Sequence, residues 1–154
     1  MPEAEVTVRS ARVNDTATIA LFNIQLARET EELRLDPVTV EHGVHAVFED
    51  DRRGRYFVAE FNGQVVGCLM ITHEWSDWRN GDMWWIQSVY VAADHRRRGV
   101  FRMLYAHVEK SARDAGAVAM RLYVDHDNAR ARATYLSLGM ELQHYQIFHK
   151  ALPA

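Results

Sequence analysis

The chain has 154 residues, the length of one domain, and its 48% hydrophobic and 25% charged residues are ordinary globular values that argue against disorder. A net charge of −3, from 18 basic and 21 acidic residues, argues against general electrostatic attraction to nucleic acid or to an anionic membrane. No segment approaches the ~20 apolar residues of a membrane span and no apolar stretch follows Met1, so we expect a cytoplasmic protein.

The chain begins with a predicted strand and two predicted helices. Apolar and polar residues alternate over 6–11, as in a half-buried strand. Asn14 or Asp15 is placed to cap a helix that ends near Glu32. A second helix is predicted from Asp36-Pro37, since aspartate is a favoured N-cap and proline a favoured first helical residue.

A β-hairpin follows the helices. Residues 55–61 and 64–72 are rich in strand-forming side chains, and Asn62-Gly63 between them is a strong signal for a tight turn. Cys68, the one cysteine, lies within the second apolar run, so no disulfide within the chain is available. We therefore predict a buried and chemically inert thiol at Cys68.

The second half alternates strands and helices. Strands are predicted over 83–91, 118–124 and 141–150, and helices over 99–115 and 129–138. The full order is thus β-α-α-β-β-β-α-β-α-β, an α/β (α+β) protein with four helices. Hairpins in the first half and a strand-helix-strand unit in the second indicate a mixed sheet with helices on both faces.

A basic turn joins the predicted strand 83–91 to the helix after it. The turn reads Arg96-Arg97-Arg98-Gly99, and the helix begins at the next residue. The N-terminus of a helix offers unpaired backbone N–H groups and a partial positive charge. Three arginines at the same point favour an anion site there, most economically for a phosphate or pyrophosphate.

Two motifs carry a resemblance to a known family. Arg96-Arg97-Arg98-Gly99-Val100-Phe101 resembles motif A of the GNAT (GCN5-related N-acetyltransferase) superfamily, Arg/Gln-x-x-Gly-x-Gly/Ala, apart from Phe101 at the last, small position. Asn128, Ala131, Tyr135 and Gly139-Met140 stand at the spacing of its motif B, Asn-x-x-Ala-x-x-x-Tyr-x-x-x-Gly-Phe. The resemblance runs over one domain, residues 6–150. It implies a GNAT fold with a sheet of six to seven strands.

The resemblance also implies a cosubstrate site for acetyl-CoA, with no metal. In the family the basic turn and helix start hold the pyrophosphate, and the backbone at the end of the fourth strand pairs with the pantetheine arm in a gap where the fourth and fifth strands splay apart. The residues that match are Val89, Tyr90, Val91, Arg96, Arg97, Arg98, Gly99, Val100, Phe101 and Arg102, and Asn128 is expected both to cap its helix and to contact the arm. The ring of Phe101 can turn into the core beside Tyr105 and leave the backbone amide for the ligand.

The candidate catalytic residues come from the resemblance and from the carboxylates of the chain. By resemblance, Tyr135 protonates the departing thiolate. A glutamate that serves as base in many relatives is replaced here by Gln87, which could position a water molecule. The carboxylates of Glu29 and Glu74 are further candidate bases. Glu31, Glu32, Asp125 and His126 stay open as alternatives.

The predicted function is acetyl transfer to a primary amine by direct attack in a ternary complex. The alternative is a non-catalytic module that binds or senses acyl-CoA, and neither a nucleic acid nor a membrane partner is expected. A small-molecule acceptor is favoured over a protein, and the segment 29–35 with the loop 74–80 is expected to form its pocket. Trp84 and Trp85, adjacent on a strand, must point to opposite faces, so one of them could line this pocket or the interface of a homodimer.

Overall fold

The computed structural model describes residues 5–154, which form a mixed sheet with helices on both faces. The sheet strands are β1 (Thr7–Ser10), β2 (Arg55–Phe61), β3 (Gln64–Ser76), β4 (Gly81–Val91) and β5 (Ala119–Leu122). The longer helices are α1 (Thr16–Glu31), α2 (Pro37–Glu49), α3 (Val100–Asp114) and α4 (Ala129–Ser137). Short 3-10 turns precede α1, β2 and the basic turn.

The predicted order of elements is confirmed up to α4. Strands lie in the order β1-β2-β3-β4-β5, with antiparallel pairs up to β4 and a parallel pair between β4 and β5. The expected sheet of six to seven strands is wrong, because five strands are formed by the described residues. The prediction fails at 141–150, which has strand-like alternation but no pairing strand in the described chain. A strand needs a neighbour for its backbone hydrogen bonds, and alternation alone supplies none.

The local signals for the start of α2 and for the hairpin turn are confirmed, whereas Asp15 lies at the N-cap of α1 without a side-chain capping hydrogen bond, because its carboxylate accepts from Arg9 and from the Arg12 N–H instead. The side chain of Asp36 accepts a hydrogen bond from the backbone N–H of Thr39 at 3.0 Å, with Pro37 as the first residue of α2. Asn62 and Gly63 both have positive φ, 51° and 75°, as a tight hairpin turn requires. The turn beyond β3 starts later than predicted, because pairing with β4 continues to Ser76.

Alternate side chains of the hairpin strands pack on opposite helices. Tyr56, Val58 and Cys68 join the core cluster that contains side chains of α1 and α2. On the other face, the Phe57 ring lies 5.5 Å from that of His107 on α3. This period of two places α1 and α2 on one face of the sheet and α3 on the other.

Two compact units make up the chain. The first ends at Leu122 and contains the sheet, α1, α2 and α3, and the second runs from Tyr123 to Ala154 and contains α4. No helix in residues 5–154 is long and apolar enough to cross a membrane.

Candidate active site

The end of β4 carries a β-bulge. Met70 is paired with Gln87 and Cys68 with Tyr90, so two residues of β4 face one residue of β3. Ser88, inside the bulge, has a φ of 50°, in the left-handed region, and its carbonyl oxygen lies 3.7 Å from the Cys68 Sγ donor. The extra residue takes backbone groups of β4 out of the regular ladder at this point.

The bulge also changes which side chains share a face. In a regular strand, residues three apart point to opposite faces. Gln87 and Tyr90 instead share the face of their partners Met70 and Cys68, which is the face covered by α1 and α2. The sequence analysis missed this bulge, since Gln87-Ser88-Val89 contains no glycine to indicate a left-handed residue.

The parallel pairing of β4 and β5 ends before the bulge. Residues 83–86 of β4 are paired with residues 119–122 of β5. Beyond this pairing, β4 continues to Val91. Along its last five residues, 87–91, β4 is paired with β3 but with no strand on its other side in the described chain. This unpaired edge is a place where an extended ligand can form strand-like hydrogen bonds.

The basic turn that follows β4 leads into α3 through two left-handed residues. Arg97 has a φ of 63° and Gly99 a φ of 78°, and Val100 begins the helix with its side chain buried. The first hydrogen bond of α3 runs from the Met103 N–H to the Gly99 carbonyl at 3.1 Å. The amides before Met103 therefore lie at the positive end of the helix without a helical acceptor.

The arginine side chains around this helix start are exposed, whereas the ring of Phe101 is half-buried and lies against another residue of α3. Arg97, Arg98 and Arg102 are exposed. The Phe101 ring lies 6.1 Å from that of Tyr105, at 52°. Phe101 thus lies beside Tyr105 as expected, but its ring is half-buried rather than within the core.

Arg96 differs from Arg97 and Arg98 because hydrogen bonds hold its guanidinium in place. Its Nη2 donates to Glu29 Oε2 at 2.7 Å, and its Nε donates to the carbonyl oxygen of Val91 at 2.9 Å. The group also lies 5.2 Å from the centre of the Tyr90 ring. Arg96 therefore joins the end of α1 to the end of β4.

The Glu29 carboxylate accepts a second hydrogen bond, from the Tyr90 hydroxyl at 3.0 Å. The Arg96 hydrogen bond, more than that of Tyr90, lowers the pKa of Glu29. Burial, together with the negative charge of Glu29, raises the pKa of Tyr90. Glu29 is thus a stabilised anion within an ion pair, an arrangement that makes it a weak base.

The other two candidate catalytic side chains, Gln87 and Glu74, lie on strands of the sheet and have different partners. Gln87 Nε2 donates to Thr72 Oγ1 at 2.7 Å. Glu74 lies 3.7 Å from Arg121, whose guanidinium is also 5.9 Å from the centre of the Trp85 ring. In the described residues, Glu29, Glu74 and Gln87 share no hydrogen bond or ion pair with one another.

The adjacent Trp84 and Trp85 lie on opposite faces of the sheet, as strand geometry predicts. Trp84 is buried, and its ring meets the His73 ring edge-on at 5.5 Å. Trp85 is half-buried on the opposite face, beside Arg121. Trp75 and Trp78, at the tip of the β3-β4 hairpin, are exposed.

The second unit holds the motif B residues, among them Asn128 and Tyr135. Asn128 Oδ1 accepts from the backbone N–H of Ala131 at 3.0 Å, which confirms its role as N-cap of α4. Burial raises the pKa of Tyr135, so its phenol stays protonated at neutral pH. Asp125 and His126 are exposed in the turn before α4.

The thiol of Cys68 is not placed to act as a nucleophile. Its side chain is fully buried in the core beneath α1 and α2, and burial raises the pKa of the thiol to about 12. A thiol in this state is a poor nucleophile. The prediction of a buried, inert cysteine is confirmed.

The sequence of residues 19–140 matches the model of the acetyltransferase (GNAT) family. The chain belongs to this family. It is 28% identical over 116 residues to an uncharacterized N-acetyltransferase of Chlorobaculum tepidum, a match that covers 75% of this chain and 66% of that protein. It is 30% identical over 113 residues to the phosphinothricin N-acetyltransferase of Streptomyces viridochromogenes, covering 72% of this chain and 61% of that enzyme. The matched part is therefore less than two thirds of either relative.

Solved structures of proteins named as acetyltransferases share the fold. A possible acetyltransferase from Clostridium difficile is 43% identical, with a TM-score of 0.90 over 97% of this chain and 99% of that chain. A predicted acetyltransferase from Clostridium acetobutylicum, solved with acetyl-CoA, is 16% identical, with a TM-score of 0.79 over 95% of this chain and 96% of that chain. At 16% identity the second match supports the fold alone.

Proposed function

We propose that residues 6–150 act as one N-acetyltransferase domain that moves the acetyl group of acetyl-CoA to a primary amine. The observation that carries this proposal is the junction of β4 and α3, where an unpaired strand edge, a bulge and the N-terminus of a helix follow one another. The first two offer hydrogen bonds to an extended chain and the third offers them to an anion. Coenzyme A contains both, a pantetheine arm next to a pyrophosphate.

The pyrophosphate is assigned to the start of α3. Backbone N–H groups from Gly99 to Arg102 point out of the helix end, and the exposed Arg97 and Arg98 add positive charge. Arg96 is not assigned a direct contact with the pyrophosphate, because its guanidinium is held by hydrogen bonds to Glu29 and to the carbonyl oxygen of Val91. Its role is to fix the course of the turn.

The pantetheine arm is assigned to the free edge of β4 at Val89, Tyr90 and Val91, with Asn128 as a further contact. An amide of this edge, freed from the ladder by the bulge, is suited to stabilise the negative oxygen that develops when the amine attacks the thioester. Such a donor contributes ~3–4 kcal/mol in other enzymes.

Gln87 is assigned to the amine side of the reaction. Its Nε2 is engaged by Thr72, so the oxygen Oε1 is the end of the amide that accepts a proton donor. An amide does not take up the proton, and Gln87 therefore orients the attacking amine or a water molecule. Glu74 is the carboxylate assigned to the acceptor region, since its contact with Arg121 is long, at 3.7 Å.

The leaving thiolate is assigned to Tyr135. The raised pKa of Tyr135 keeps a proton on its oxygen at neutral pH, as a general acid requires. The direct mechanism needs no covalent enzyme intermediate, in agreement with the buried state of Cys68.

The test is to measure binding and turnover separately. Acetyl-CoA should raise the melting temperature, because a ligand that binds the folded state alone stabilises it. Release of free thiol should then depend on an amine from a panel of polyamines, amino acids, aminoglycosides and peptides. A melting temperature unchanged by millimolar acetyl-CoA contradicts the cosubstrate. Binding without thiol release for any amine supports the acyl-CoA-binding module instead.

A further inference from the structure

Arg121, on β5, carries a half-buried guanidinium whose N–H groups make no hydrogen bond within its own unit, over residues 5–122. Its one charged partner there is Glu74, and the contact from Nη1 to the carboxylate is 3.7 Å long. Arg9 is exposed to a similar extent, 22% against 29%, yet it donates hydrogen bonds of 2.8–3.0 Å to two carboxylates. A guanidinium has five N–H donors and bonds best to oxyanions. Those of Arg121 are therefore available to a ligand.

The strand pairing places Arg121 in a row of side chains that crosses one face of the sheet. Arg121 is paired with Trp85 of β4, and Trp85 with Thr72 of β3. The guanidinium lies 5.9 Å from the centre of the Trp85 ring, within the range of a cation–π contact. This contact positions the guanidinium but gives its N–H groups no acceptor oxygen. The row thus presents an aromatic ring with a cation at its β5 end.

Gln87 lies on the same face, two residues further along β4 than Trp85, at a spacing of about 6.6 Å. It is the first residue of β4 beyond the pairing with β5. The proposed function assigns Gln87 to the attacking amine and residues 89–91 to the pantetheine arm. An acceptor whose amine lies at Gln87 therefore extends away from the arm, towards Trp85 and Arg121.

We propose that the acceptor is an amino acid, a primary amine that also carries a carboxylate, and that Arg121 binds this carboxylate while Gln87 orients the amine. A carboxylate pairs with two parallel N–H groups of a guanidinium, and the contact of Nη1 with Glu74 leaves the edge formed by Nε and Nη2 for that pairing. The Trp85 ring supplies an apolar surface for the rest of the molecule. The inference rests on the proposed function, because it names the substrate class of the same site.

The charges of this face select between classes of amine. At 3.7 Å the contact between Glu74 and Arg121 is too long for a hydrogen bond, and Glu74 is 47% exposed, so this pair competes weakly with an incoming carboxylate. A polyamine or an aminoglycoside would instead bring a second ammonium group towards the guanidinium, and like charges repel. Arg121 is therefore the residue that sets specificity for an acid-bearing amine.

The first experiment measures thiol release from acetyl-CoA with the common amino acids as acceptors. For leucine, tryptophan and ornithine, the matched compounds without the carboxylate are isoamylamine, tryptamine and putrescine. At least one amino acid should be acetylated, with a kcat/KM at least about tenfold above that of the amine that lacks its carboxylate, because a site built to bind a polar group rejects analogues without it.

Substitution of Arg121 then tests the assigned contact. Arg121→Gln should lower kcat/KM for the preferred amino acid at least about tenfold, mainly through KM, and leave the value for the matched amine within about twofold of the parent. Arg121→Lys keeps the charge but not the two parallel N–H groups, so it should lose at least about threefold for the amino acid alone. Arg113→Gln, at an exposed position of α3, is the control and should match the parent.

The increase in melting temperature caused by acetyl-CoA separates the possible outcomes. It should be complete in both Arg121 variants, which shows an intact fold and cosubstrate site, and Arg121→Lys decides the matter if Arg121→Gln does not fold. Equal rates with and without the carboxylate, or an equal loss for both compounds in the variants, overturn this inference and leave the proposed function in place. Absence of thiol release with every amine contradicts both.

Discussion

The Glu29 carboxylate lies 2.7 Å from Nη2 of Arg96, 67 positions away in the chain, and the pair fastens the end of α1 to the turn that precedes α3. Arg96 reaches back at the same time to the carbonyl oxygen of Val91, the last residue of β4. Three elements that meet at the proposed acetyl-CoA site are thus held together by one guanidinium. The contact gives Glu29 a positioning role in the proposed site.

We predict that Glu29→Gln raises the KM for acetyl-CoA about two- to fivefold and leaves the KM for the amine unchanged. The pair is exposed at 43% of each side chain, so its loss removes about 0.5–1 kcal/mol. Initial rates with each substrate varied in turn provide the measurement. Glu41→Gln, at an exposed position of α2, is the control and should match the parent. A higher KM for the amine in Glu29→Gln would place Glu29 in the acceptor pocket.

Local sequence signals were sufficient for elements whose geometry is set by a few adjacent residues. Asp36 and Pro37 start α2, Asn62-Gly63 turns the hairpin, and Gly99 adopts the left-handed conformation before α3. Each of these positions depends on a conformational preference of the residue itself. The helix start with its arginines, and so the proposed anion site, was predictable for the same reason.

Features that depend on contacts between distant residues were not predictable. The bulge at Ser88 follows from the register between β3 and β4, and serine rarely indicates a φ of 50°. The Glu29–Arg96 pair requires α1 to end beside the basic turn. The segment 141–150 has the alternation of a strand, but a partner strand decides whether it forms one.

Gly99→Ala is predicted to weaken acetyl-CoA binding through the backbone. The φ of 78° disfavours any side chain by about 1 kcal/mol, while a Cβ atom here meets no atom within 4 Å. Strain rather than a clash should therefore shift the start of α3. Gly116→Ala is a matched control, since Gly116 also has a φ of 78° and an open Cβ position but follows the other end of α3.

Thermal melts with and without acetyl-CoA separate these two variants. Both should melt slightly below the parent, because both carry the same strain. The increase in melting temperature caused by acetyl-CoA should shrink in Gly99→Ala and stay complete in Gly116→Ala. An equal increase in both variants would move the pyrophosphate site away from the helix start.

Tyr135→Phe is predicted to lower kcat by roughly 100-fold with the KM for acetyl-CoA within about twofold of the parent, the result of losing a positioned acid. Because burial raises the pKa of Tyr135, this phenol should cause no fall in kcat between pH 7 and 9. Tyr123→Phe, an exposed tyrosine of the same unit, serves as the control. Full turnover in Tyr135→Phe would show that the Tyr135 hydroxyl is not the acid and that this side chain only contributes to packing.

The last prediction concerns stability and pH at Asp15, a buried carboxylate at the start of α1. It accepts hydrogen bonds from Arg9 Nη1 at 2.8 Å and Nη2 at 3.0 Å, and from the backbone N–H of Arg12 at 2.7 Å. The hydrogen bonds from Arg9 lower the pKa of Asp15 most, followed in the same direction by that from Arg12. Asp15→Asn keeps the shape but removes the charge, so it should cost about 2 kcal/mol of unfolding free energy at pH 7.

The sign of the pH effect follows from the lowered pKa. The unfolded chain takes up the proton near pH 4, whereas folded Asp15 takes it up at a lower pH, so its stabilisation is complete above about pH 5 and is lost as the pH falls through the folded pKa. Urea unfolding of the parent and of Asp15→Asn should therefore differ most at pH 7 and progressively less towards pH 3. Asp77→Asn, in the exposed hairpin turn, should match the parent at both values. A difference between parent and Asp15→Asn that stays constant from pH 7 to pH 3 would show that shape, rather than the charge of Asp15, stabilises the start of α1.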